Sequence, residues 1–277
     1  MATRKARILI LCKTYPSPSS KYSETSCVAG MEDNGHLIRL FPVPFRLIND
    51  DQQFKKWQFI KATIEKAKDD HRPESHHIKV DTIGMDGPPI STKNGWAVRL
   101  GFLDKARIHD DFSAVEADRQ STGHTLAFLR PSRILAVDIT PSSNPDWTSQ
   151  ERDKLLKYQQ QAGLFDAADA RAIRTLRKLP FEFHYRYRCD VVGVQAEYRH
   201  KIADWEAGAL FWNCRKNYGE KWEAPFREKL ESVLPAADLI FLMGTIHRFP
   251  DQWLIVSLIY PPKRPPLQER QQSLFDL

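Results

Sequence analysis

Hydrophobic and polar positions divide this chain into a strand-patterned first half and a second half with helical stretches. Residues 7–13 (RILILCK) form a short unbroken apolar run entered from a basic end, which predicts a buried strand. Residues 14–22 hold two prolines among serines and read as a loop. A second strand is predicted at residues 37–40, after the turn Asp33-Asn34-Gly35 and before Phe41-Pro42-Val43-Pro44-Phe45. Bulky and polar residues alternate over 57–65, 78–83 and 96–100, the period of a half-buried strand. Residues 126–139 predict two short strands around Arg130-Pro131-Ser132. Residues 1–140 therefore read as a mixed, β-rich domain with few long helices.

Residues 140–146 are rich in Pro, Ser and Asn and read as a linker. Thr148-Ser149-Gln150-Glu151 has the acceptor side chains of a helix start, and the helical pattern runs to about residue 178 with a break at Gly163. A strand at 181–189, helices at 197–217 and 224–234, and strands at 238–243 and 253–260 follow. The expected architecture is α+β: the β-rich domain, a helix-rich α+β domain at residues 148–260, and a flexible proline-rich tail at 261–277.

Bulk properties narrow the classes. Apolar content of 42% and charged content of 27% over 277 residues describe an ordinary globular protein with length enough for a real core. No run reaches the ~18 apolar residues a membrane span needs, and residues 8–11 are too short for a signal-peptide core. The cytoplasm is the expected compartment and no membrane partner is expected. Four scattered cysteines without a C-x-x-C pair argue against a disulfide framework or a zinc knuckle. A net charge of +6 permits nucleic-acid binding without requiring it. No P-loop, G-x-G-x-x-G, nucleophile elbow or H-E-x-x-H occurs, which removes the common nucleotide-hydrolysing and hydrolase chemistries.

The last residues change the picture. Gln271, Ser273, Leu274 and Phe275 form a Gln-x-Ser-Leu-Phe peptide that resembles the pentapeptide by which bacterial replication and repair proteins dock on the DNA sliding clamp. It departs from that pattern at Gln272, where the family usually has leucine. The resemblance implies a polar contact from the Gln271 amide and an apolar pocket filled by Leu274 and Phe275, a compact hot spot. Ahead of it, four of the seven residues at 260–266 (YPPKRPP) are prolines without an amide donor, so the run extends at about 3.1 Å per residue. The ten residues between Tyr260 and Gln271 span on the order of 30 Å at that rise. The resemblance covers five residues and implies a location, not an activity.

Within the body, alternation over residues 181–189 puts Glu182, His184, Arg186 and Arg188 on one face of a strand and Phe183, Tyr185, Tyr187 and Cys189 on the other. Arginines hold phosphates and a neighbouring aromatic stacks a base, so His184, Tyr185, Arg186 and Arg188 are candidate nucleic-acid contacts. Arg171, Arg174 and Arg177 recur at helical spacing and add a basic stripe. For catalysis, His200 and Asp204 are four apart on a predicted helix, with Glu206 offset, a spacing that ligates a metal or orients an imidazole. Glu24, near Cys27 in the loop after the first strand, is the alternative general base. The dense run 69–77 (DDHRPESHH) reads as a charged hairpin or loop.

These observations lead to a DNA-binding protein of bacterial or phage DNA transactions (repair, replication-linked or antiviral defence), recruited to the sliding clamp by its tail. RNA is an open alternative to DNA. A DNA-processing enzyme, a nuclease or base glycosylase using the His200/Asp204 helix or the Glu24 loop, is the competing reading. The sequence fixes no cofactor and no metal.

Overall fold

The computed structural model describes residues 3–19, 23–46, 48–151, 153, 177–191 and 193–264. The protein is α+β, built as a barrel, a seven-stranded sheet packed on it, and several helices, of which those after the strand ending at Ile202 cover the sheet's far side. The barrel comprises β1 (Arg4–Lys13), the short β2 (Ser17–Ser19), β3 (Ser23–Glu32), β4 (Leu37–Val43), β5 (Phe59–Lys66) and β6 (Ser75–Met85). Its order is β1-β5-β6-β4-β3, closed by β1 pairing with β3, while β2 hangs on the outside of β3. Every pairing is antiparallel except β4 with β6. A five-stranded Greek-key barrel with this order is the OB arrangement, whose ligand face lies on its second and third strands and on the loops joining strands 1–2 and 4–5.

The second sheet has the order β7-β8-β12-β13-β11-β10-β9. Its strands are β7 (Ile108–His109), β8 (Leu126–Leu129), β9 (Arg133–Pro141), β10 (Phe181–Val191), β11 (Val194–Ile202), β12 (Ile240–Ile246) and β13 (Phe249–Ile259). Among the described residues the α-helices are α1 (Lys93–Leu103), α2 (Phe112–Thr122), α3 (Trp205–Tyr218) and α4 (Glu223–Arg227), the last running into a π-helical turn over Glu228–Val233.

Burial explains the unbroken apolar run of β1. Ile8 and Ile10 fill the barrel with Val28, Ile38, Leu40 and Ile60. Leu9 and Leu11 point the other way, against Leu126, Phe128, Ile240, Leu242 and Val256 of the second sheet. Both faces of the strand are therefore inside, which removes the alternation a half-exposed strand would show. The far side of the second sheet buries Phe183, Tyr185 and Tyr187 under Phe211, Trp222 and Phe226.

Four expectations are corrected. Residues 96–100 lie in α1, not a strand; its first turn carries left-handed backbone at Asn94, Gly95 and Trp96. Residues 23–32, where Glu24 and Cys27 are expected in a loop, form β3, with Val28 in the barrel core and Ala29 and Met31 against the second sheet. The strands at 126–139 pair in the second sheet rather than in the N-terminal part, so the barrel ends at Met85. The predicted helix 197–217 is a strand, β11, followed by α3: residues 197–202 pair with β10 and Asp204 caps the helix. Most of the helix predicted at 148–178, and the tail from residue 265, lie outside the described residues.

Candidate functional site: a cleft between barrel and sheet

The outer face of β3 and β4 does not pack fully against the second sheet. Alternate residues Thr25 and Cys27 of β3 and Arg39 and Phe41 of β4 line a cavity of about 690 Å³. The loop after β1 contributes Thr14 and Tyr15, and the loop between β5 and β6 contributes Asp69, Asp70 and Arg72. The opposite wall comes from the second sheet: Glu182 of β10, Lys201 of β11, Thr245 of β12, and His247 and Arg248 of the following turn. Trp147 and Lys178 close one side. Two adjacent strands of the barrel and two of its loops therefore face one cavity.

Two devices hold the cleft in shape. Under the barrel face, Arg39 is 3% exposed and lies 3.5 Å from the buried Glu74. Its Nη2 also donates to the Thr125 carbonyl and hydroxyl, each at 3.1 Å, tying β4 to the second sheet. At the rim, Arg72 donates through Nε and Nη2 to the Asp70 carboxylate and through Nη1 to the Thr245 carbonyl at 2.8 Å. Burial by itself would raise the Asp70 carboxyl, but the bonds from Arg72 and Ser75 hold it well below the ordinary carboxylate range. Depressed in the folded state, this group stabilises the fold above its unfolded value of 3.8 and loses that contribution as pH falls through the lower folded value. Asp70→Asn should accordingly lower the melting temperature at pH 7, with the difference from wild type shrinking as pH drops below 3.8. Thermal melts at stepped pH check this; a deficit that persists unchanged in acid would show that the carboxylate charge is not involved.

On the loop after β1, Tyr15 is positioned from three sides. Trp212 Nε1 donates to its hydroxyl at 3.0 Å, and the hydroxyl donates to the Arg177 carbonyl at 2.7 Å. Its ring seats on Gly208 of α3, where a Cβ would approach within 2.4 Å of the ring. Phe41, by contrast, is 45% exposed, a large aromatic face open to the cleft.

The predicted site residues separate. His200 and Asp204 are not stacked on a helix. His200 sits on β11, with Nδ1 3.0 Å from the Tyr187 hydroxyl and its ring 4.5 Å from Phe112. Burial, with the nearby His184, pushes its pKa down to about 4, so it is neutral and structural at pH 7. Asp204 is the N-cap of α3, accepting from the Glu206 amide at 2.8 Å, while the Glu206 carboxylate pairs with Lys56 at 2.8 Å. The structure does not bring His200 and Asp204 together; Asp204 and Glu206 instead share Lys56. Glu24 lies in β3, but its side chain is outside the described residues. Tyr185 is fully buried with its hydroxyl bonded to the Leu230 carbonyl at 2.8 Å, which leaves no face for a base.

The two faces of β10 follow the alternation. Arg188 pairs with Glu197 at 2.8 Å, and Arg186 and Arg199 share the Asp138 carboxylate at 2.9 and 2.8 Å. Two guanidiniums on one carboxylate leave a surplus positive charge, on a face that runs through His184 to Glu182 and Lys201 at the cavity wall. Arg177 is exposed beside the cleft with its guanidinium 4.0 Å from the Trp212 ring. Arg171, Arg174, Gln271, Ser273, Leu274 and Phe275 lie outside the described residues. Sequence reasoning missed Tyr15, Phe41, Arg72 and His247 as neighbours; the nearest signal was the polar density of residues 69–77, whose partners on β12 and its turn lie about 170 positions away.

A family model described as a domain of unknown function, DUF8757, matches residues 108–277, more than half of the chain. The chain belongs to the DUF8757 family. A second domain of unknown function, DUF8758, matches residues 4–105. The DUF8758 segment thus contains the barrel and α1, and the DUF8757 segment begins with the first strand of the second sheet, so the cleft lies where the two meet. A comparison with curated proteins finds no match.

Proposed function

We propose that this protein binds single-stranded nucleic acid, DNA first, in the cleft between barrel and sheet. Its C-terminal peptide would deliver it to the bacterial sliding clamp in a cytoplasmic repair, replication-linked or defence process. The observation that carries the reading is the coincidence of the cavity with the ligand face of an OB barrel. The lining offers aromatic faces at Tyr15, Phe41 and Trp147 and the cation Arg248, with Lys178 and Lys201 paired to Glu151 and Glu182 at its edge. Size favours a single strand. A cavity of about 690 Å³ admits one or two nucleotides, whereas a duplex whose major groove alone is about 12 Å wide does not fit. The surplus charge of Arg186 and Arg199 continues from the cavity wall and supports a path for the backbone beyond it. The buried, neutral His200 and the helix-capping Asp204 speak against the His200/Asp204 enzyme reading.

Fluorescence anisotropy with a single-stranded 12-mer and its duplex tests this. The single strand should bind more tightly, with an affinity that falls as salt rises. Phe41→Ala should weaken it by about 1–3 kcal/mol, the value of one base stacked on an aromatic ring. Tighter binding of the duplex, or no effect of Phe41→Ala, would refute the cleft reading.

A further inference from the structure

We propose that Asp70, His71 and His247 form a binding site for one divalent transition-metal ion of the zinc class at the rim of the cleft. Each residue offers one ligand atom, and the three atoms lie within 4.8 Å of one another. The two imidazole rings are 5.8 Å apart, and His247 Nε2 is 4.0 Å from Asp70 Oδ1. Donors about 2.0–2.2 Å from a zinc-like ion require little further approach, and both histidines are exposed side chains with room to turn.

The surroundings are those of a prepared ligand set. A ligating carboxylate is ordinarily held by a further hydrogen bond that fixes its orientation. Here Arg72 supplies it, and the same guanidinium bonds the Thr245 carbonyl, two residues before His247. Arg72 thereby fixes the barrel loop carrying Asp70 and His71 against the sheet turn carrying His247. An ion bound there would link the two halves of the molecule across the cleft.

The donor set also selects the ion. Two imidazoles and one carboxylate suit zinc-class metals, whereas Mg²⁺ and Ca²⁺ prefer all-oxygen sites. Because Asp70 shares its charge with Arg72, the imidazoles dominate and the preference sharpens. Three protein ligands leave a coordination position open, as in sites where zinc polarises a water or a substrate oxygen. Asp70 and His247 both line the cavity, so an oxygen of a ligand held in the cleft would lie within reach of that position.

The test uses the metal alone. Full-length protein, stripped by chelator and dialysed, is titrated with Zn²⁺ calorimetrically, and with Co²⁺ followed by visible absorption. One ion per chain and a Co²⁺ spectrum of nitrogen–oxygen ligation are expected, with no comparable heat from Mg²⁺. His71→Ala and His247→Ala should each lower Zn²⁺ affinity at least tenfold, and the double variant should abolish stoichiometric binding. His36→Ala and His124→Ala, elsewhere on the surface, should leave it unchanged. Absence of stoichiometric Zn²⁺ binding by wild type would overturn the proposal, as would a folded double variant that binds like wild type. The wild-type stoichiometry and Co²⁺ spectrum decide the matter even if the double variant fails to fold. None of these readouts involves nucleic acid, so the site stands or falls independently of the cleft's proposed ligand.

Discussion

Asp204→Ala is expected to destabilise the protein by about 3–5 kcal/mol, the range for breaking a buried charge pair by removing one partner. Asp204 is 4% exposed, and each of its carboxylate oxygens has work that alanine cannot do. Oδ1 caps α3 by accepting from the Glu206 amide at 2.8 Å, a contact whose loss costs about 1 kcal/mol. Oδ2 accepts from the Leu258 amide at 2.8 Å, and that donor would be left buried without a partner, at about 1–3 kcal/mol. Lys56 sits 4.0 Å away and would keep only Glu206 and the Leu258 carbonyl. The cluster joins the turn before β5, the start of α3 and the strand β13, so the damage falls on the junction of barrel and sheet. Urea unfolding followed by tryptophan fluorescence measures the loss. A change below about 1 kcal/mol would mean that the junction does not depend on this carboxylate.

The second large effect lies in the tail. Leu274→Ala/Phe275→Ala is expected to abolish binding of the sliding clamp by a peptide of residues 266–277. The wild-type peptide should bind at about micromolar strength, roughly −8 kcal/mol. Truncating an aromatic anchor in a desolvated pocket costs about 2–4 kcal/mol by itself, and the neighbouring leucine shares the pocket. Surface plasmon resonance on immobilised clamp separates the two peptides. Equal binding by both, or binding by neither, removes the clamp from the account and leaves nucleic-acid binding to stand alone.

What the sequence revealed and what it hid follow from the range of the interactions. β1 was legible because residues 8–11 are apolar on both faces, and β10 because its alternation survives intact. The strand β3 was hidden because its first four residues, Ser23-Glu24-Thr25-Ser26, are all polar and show no alternation, although Thr25 lies on the cleft side and Ser26 on the barrel side. The helix predicted over 197–217 was half right. Aromatic and charged residues at 197–202 fit either period over so short a run, and the strand wins because Tyr198 and His200 pair across to Tyr187 and Tyr185. An aspartate at 204 fits a helix cap as well as a site residue, and the fold uses it as the cap. Barrel closure, and with it the cleft, was beyond reach, since it depends on β1 pairing with both β3 and β5. Arg72 and Thr245 meet across 173 positions, which no local pattern announces.

The central claim is that a single strand occupies the cleft, and photo-cross-linking tests it most directly. A single-stranded oligonucleotide carrying 4-thiothymidine is irradiated with the full-length protein, and the adducted peptides are identified by mass spectrometry. Adducts on Tyr15, Phe41 or Trp147, lost when unlabelled single strand competes, are the predicted result. Adducts confined to surfaces away from the cleft, with none on the peptides that carry those three residues, would contradict it.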